Sequence, residues 1–219
     1  MTEPRVSPAL RDAIARDLEP VQPFPAPWRR VLRFAPIGLF LVAASPLYWG
    51  WRENLQALPG WISWGLSGLQ ALVGLMIVGA ALREAVPGRT LSSRALVAVF
   101  AGGLSIVVGT TLATAIALPV EVPPGDRLRW IWECFDMAAA IGVPALAIVG
   151  WLVWRMCPSR PAVAGALCGL GAGVLTDAGV RLFCRVDQSE HILLAHGGEI
   201  VALVVLGAAV SVAIDRFRR

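Results

Sequence analysis

Residues 61–82 read WISWGLSGLQALVGLMIVGAAL, and residues 95–118 read ALVAVFAGGLSIVVGTTLATAIAL. No charged side chain falls between Asn54 and Arg83, nor between Arg94 and Glu121. A helix needs about 20 mostly apolar residues to cross the hydrocarbon core of a bilayer, and both stretches are long enough. Working outward, four similar stretches follow: 33–50 before these two, and 135–155, 161–183 and 192–214 after them. The last three are less pure, because they carry Asp136, Asp177, Arg181, His196 and Glu199. Of the 219 residues, 57% are hydrophobic and 16% are charged, where a soluble domain carries about 25% charged residues. The expected fold is therefore all-α, an integral membrane bundle of six transmembrane helices spanning residues 31–219. Residues 1–30 form a cytoplasmic arm containing a short amphipathic helix. This composition excludes disorder and most soluble enzyme classes. The first span is not expected to be a cleaved signal peptide, since the segment before it is too long and Pro46 follows Ala43-Ala44-Ser45 at the cleavage position.

Orientation follows from the basic residues, all of which are Arg. Counted on alternate sides of the spans, 14 lie on one side and 5 on the other. The richer side, with both termini, is expected in the cytoplasm of a bacterium, with the spans in its inner membrane. Trp49, Trp51, Trp61, Trp64, Trp130 and Trp132 fall at the outer interface, and Trp28, Trp151 and Trp154 near the inner one, as an aromatic belt requires. A net charge of +4 with a pI near 9.4 would suit nucleic acid. Here, however, Arg collects at the ends of spans, so the lipid bilayer is the expected partner and no direct nucleic-acid contact is expected.

The arm reads as an amphipathic helix over 8–19 followed by a Pro-rich tether. Ser7 can cap it and Pro8 suits its first position. Leu10, Ile14 and Leu18 recur every four residues and form one apolar stripe. Pro20, Pro23, Pro25 and Pro27 end the helix and stiffen the link to the first span. A helix this short needs a surface to pack on. Arg11, Asp12, Arg16, Asp17 and Glu19 balance in sign, where a membrane-surface helix is more often basic, so a protein partner is favoured. Leu10, Ile14, Leu18 and Val21 are the expected contact residues.

Chemistry-bearing residues gather at the outer side. Cys134 opens the fourth span and Cys184 closes the fifth, and counting from the turn near residue 158 sets them within ~3 Å of the same height. Two readings stay open: a pair for oxidation or shared metal binding, or two small buried hydrophobes. His191, His196, Glu190 and Glu199 gather where the sixth span begins. His196 and Glu199, three apart, share a helix face. With the cysteines, His191, His196 and Glu199 could hold a soft metal, or a His and a Glu could simply hydrogen-bond inside the bundle. Asp136, Asp177 and Glu199 are acids at membrane depth, so each is expected to face the bundle and to have a partner, which for Asp177 is Arg181. Gly165, Gly169 and Gly173 form a helix-packing face. Cys157 and Cys168 are read as structural. The two His, five apart on one helix, cannot bind a haem iron from opposite faces. No phosphate loop, nucleophile elbow or HExxH occurs, so neither catalysis nor a cofactor is expected.

Several stretches resemble the NrsF-type family of bacterial six-span anti-sigma factors. They are Asp-Leu-Glu-Pro-Val at 17–21, Val-Pro-Gly at 86–88, Glu-Cys at 133–134, Cys-Pro-Ser-Arg-Pro at 157–161 and the Gly-rich run 164–173. Leu-Phe-Cys at 182–184, Ala-His-Gly at 195–197 and the span from Gly207 to Arg216 complete the set. The resemblance implies a non-enzymatic regulator that keeps an extracytoplasmic-function sigma factor from RNA polymerase, with the N-terminal arm as the sigma contact. It implies, too, that two outer-side cysteines, here Cys134 and Cys184, sense metal or oxidative stress. The competing classes are a membrane thiol oxidoreductase, which would need a second cysteine pair to pass electrons on, and a small transporter.

Overall fold

A computed structural model describes residues 7–18, 26–52, 59–117, 126–186 and 188–218. Among them there is no strand, and six helices are long and apolar enough to cross a membrane. The helices are α1 (Pro8–Asp17), α2 (Pro27–Trp49), α3 (Trp61–Glu84), α4 (Ser93–Ala117), α5 (Arg127–Trp154), α6 (Pro161–Phe183) and α7 (Ser189–Arg218).

Most spanning helices run past the limits that hydropathy suggests. Pro27, read as the end of the tether, is the first residue of α2. Arg127 opens α5 eight residues before the expected start at 135. Hydropathy marks the hydrocarbon core, whereas a helix ends where its hydrogen-bond ladder and caps end, commonly in the interface. α1 is capped by Ser7, whose Oγ accepts from the Leu10 N–H at 3.3 Å, and it stops at Asp17, two residues before the expected 19.

α6 is the axis of the bundle. It is buried almost throughout, while α4 is mostly exposed. Its small residues explain how five helices can pack around one. A Cβ on Gly165 would collide with the carbonyl of Gly207 and the hydroxyl of Ser211, and one on Gly169 would collide with the carbonyl of Leu203. Gly173 lies against Ile200 of α7 in the same way, so the expected packing stripe faces α7. Elsewhere Gly171 meets Val78 of α3, and Gly179 meets Ser45 and Val42 of α2. Lipid supplies little hydrophobic drive between helices, so this backbone-to-backbone contact supplies much of the association.

One end of the bundle carries most of the arginines and the α5–α6 turn, where Cys157 takes a left-handed conformation (φ 52°). There Glu84, fully buried at the end of α3, accepts from Arg160 Nε at 2.6 Å and Arg160 Nη2 at 2.8 Å. The Leu91 N–H adds a third bond to the carboxylate at 2.7 Å, and Arg160 also donates to the Leu91 carbonyl at 2.8 Å. The α3–α4 and α5–α6 connections are thereby tied together. Side chains 76 positions apart in sequence make this tie, and no pattern within either span announces it.

Candidate functional site

The opposite end holds the thiols. α6 stops at Phe183, and Cys184 turns extended as its cap (φ −64°, ψ 126°), its N–H still bonded to the Val180 carbonyl at 2.8 Å. This places the Cys184 thiol at the rim of the bundle, where it meets Cys134 on α5, sulfur to sulfur at 3.5 Å. Both are free thiols. A cleft of about 190 Å³, lined in part by Trp49, Trp130, Phe183 and Val186, opens onto both sulfurs.

α7 brings the imidazoles. Its second segment, Ile192–Gly197, is a π-helical turn. In an ordinary α-helix residues five apart point about 140° away from each other. A π turn closes its hydrogen bonds over five residues and stacks such a pair on one side. His191 and His196 accordingly meet edge to face with ring centroids 5.7 Å apart. His191 Nε2 lies 3.5 Å from Cys184 Sγ. The ligand atoms of Cys134, Cys184, His191 and His196 all lie within 4.8 Å of one another, and all four residues are buried. Cys184 lies just past the end of its span. Its thiol is held well below the ordinary range, first by the hydrogen bond from Cys134, against the opposing effect of burial, and further by His191 and His196.

Behind the thiols lies a polar network built on the expected pair of Asp177 and Arg181. His196 Nδ1–H donates to Asp177 Oδ1 at 2.6 Å. Asp177 Oδ2 accepts from Arg181 Nε at 3.1 Å and from Gln70 of α3. Arg181 Nη2 donates to Thr111 Oγ1 of α4 at 3.0 Å, and Thr110 donates to the Gln70 amide oxygen at 3.4 Å. The network joins α3, α4, α6 and α7 around one carboxylate.

Three expectations are corrected. Glu199 is not a member of the four-residue group, and the partner of His196 is Asp177 rather than a Glu. The Glu199 carboxylate turns toward Gly142 of α5 and fills the space that a Cβ would take there. His196, inside the π turn, reaches Asp177, whereas Glu199, in the α-helix beyond it, reaches α5, so their three-residue spacing does not make them partners. Asp136 does not face the bundle but is exposed. It lies in the third turn of a 28-residue helix longer than the hydrocarbon core is thick, so its place in the chain does not require burial in the bundle. The intrahelical pair of Asp177 and Arg181 is present as expected. Leu10, Ile14 and Leu18 are 52%, 50% and 71% exposed, and no residue of α1 is buried. Val21 lies outside the described residues.

The described residues thus form a six-helix membrane bundle with a buried thiol–imidazole group at one end. The chain belongs to the family described as Negative regulator of sigma F, whose model it matches over residues 14–217. It is similar to the anti-sigma-F factor NrsF of Caulobacter vibrioides (strain NA1000 / CB15N), with 30% identity over 190 residues that cover 84% of this chain and 86% of that protein. No solved structure matches it.

Proposed function

We propose that this protein holds an extracytoplasmic-function sigma factor at the cytoplasmic face of the bacterial inner membrane through its N-terminal arm. It lets go when a redox or metal signal on the periplasmic side reaches Cys134 and Cys184. The observation that carries this reading is the 3.5 Å approach of two free thiols beneath an open cleft. That spacing suits either oxidation to a disulfide or capture of one metal ion between the sulfurs. The exposed stripe of Leu10, Ile14 and Leu18 supports the other half, because an amphipathic helix whose apolar face is left exposed by the described residues is the usual form of a helix that docks in a partner's groove. Family membership supports the sigma factor as that partner. The 14-to-5 division of Arg supports both termini in the cytoplasm. The protein is then a regulator rather than an enzyme. A thiol oxidoreductase is disfavoured because Cys168 is enclosed in α6 and Cys157 is exposed beside Arg218, so among the described residues they make no second pair.

Two experiments test the two halves. The chain, tagged at its C-terminus and solubilised from its host, should bring down a sigma factor, and a variant lacking residues 6–20 should lose it. If the deletion retains the sigma factor, the arm is not the contact. The double substitution Cys134→Ser and Cys184→Ser should keep repression and abolish induction. If that variant still responds to the inducing stress, the sensing assignment is wrong.

A further inference from the structure

The group at the thiol end contains more than a cysteine pair. Two thiols and two imidazoles are a donor set that a soft d10 dication takes in tetrahedral coordination, with the two thiolates balancing its charge. The tautomer of His196 is fixed from behind. Its Nδ1–H is committed to Asp177, which leaves the Nε2 lone pair free. That Nε2 is buried and makes no hydrogen bond. Buried polar atoms are rarely left so, and an imidazole aimed at two thiols with a carboxylate behind it is the arrangement that orients metal-binding histidines. Asp177 cannot swing away, being held by Arg181 and Gln70.

We infer that Cys134, Cys184, His191 and His196 form a four-ligand site for a soft divalent cation of the zinc and cadmium class. Asp177 is the positioning residue that aims His196 into it. This rests on the sensing role proposed for the cysteine pair, and it names the ligand class and two further ligands. Binding needs no oxidant. Two metal–sulfur bonds form as two protons leave the thiol–imidazole group for solvent, and the two imidazoles bind as neutral donors. The cleft over the sulfurs gives the ion its path. Glu199 takes no part.

The full-length chain, purified in detergent under reducing conditions, would be titrated with Co²⁺ and then challenged with Zn²⁺ and Cd²⁺. One Co²⁺ per chain should bind, with the intense visible bands of tetrahedral cobalt and a thiolate charge-transfer band, and Zn²⁺ or Cd²⁺ should displace it. His191→Gln and His196→Gln should each alter those bands and weaken binding. Asp177→Asn should weaken binding by about 10–100-fold, and Asp177→Glu, which keeps a carboxylate, should recover part of the loss. His191→Gln leaves the Asp177 network untouched, so it reports on the site even if changes at Asp177 destabilise the bundle. Pale octahedral cobalt bands, or binding unchanged in both His variants, would overturn the site. If the wild type binds none of the three ions while the double Ser variant still loses induction, the cation site is wrong and sensing by the cysteine pair stands. If the ions bind as described while the double Ser variant responds normally, the site stands and its role in sensing falls.

Discussion

The two ends of the bundle each bury a carboxylate against an arginine and finish it differently. At the arginine-rich end both oxygens of Glu84 are occupied, by Arg160 and by the backbone of Leu91, and among the described residues there only Arg30 Nε is buried without a partner. At the thiol end Asp177 is equally well surrounded, but its neighbours are not: Arg181 Nη1, His196 Nε2 and both oxygens of Glu199 are buried without a partner. The first arrangement is a closed tie between two loops. The second keeps binding capacity in reserve, and proteins tolerate such unfilled groups mainly where function uses them.

Three substitutions would break or sharpen this contrast. Asp177→Ala should cost most. It strips the buried Arg181 of its carboxylate, and the loss should be about 3–5 kcal/mol in denaturation of the detergent-solubilised protein. Arg160→Ala comes second. It strands Glu84, but at the rim of the bundle, where water can enter the vacated space. The melting temperature should fall by less than in Asp177→Ala, and a fall as large would make the two ends alike in kind. Glu199→Gln is smallest. A neutral isostere replaces a side chain that makes no hydrogen bond, so the melting temperature should move less than in either of the other two. A clear loss instead would mean that Glu199 holds something, and that the thiol end is less open than its hydrogen bonds imply.

The sequence discloses what one helix reveals by itself. Length and hydropathy give the six spans. The glycine repeat gives a packing face, and counting from the turn gives the shared height of Cys134 and Cys184. What it hides is the rotation of each helix about its axis and which neighbour it meets. Gln70, Thr110 and Thr111 look like ordinary polar residues of apolar spans until α3 and α4 are set beside Asp177. Glu199 and His196 look like partners because a regular helix would set them side by side, yet Glu199 turns to Gly142 and His196 to Asp177. His191 and His196, which a regular helix would point apart, are stacked on one side by the π turn, which supplies the geometry that the residue types alone could only suggest. A Gly pair flanking the turn, Gly197 and Gly198, is the only local hint of irregular winding, and many regular helices carry as much.

The glycine contacts between α6 and α7 have a mechanical consequence. Where side chains separate two helices, a change of rotamer can absorb a small displacement. At Gly165 and Gly169 backbone meets backbone and no such cushion exists. The two helices form a stiff beam about 34 Å long, the rise of 23 residues. A strain applied at Cys184 and His196 is poorly damped along that beam, and its far end is Pro161, next to Arg160 and the Glu84 tie.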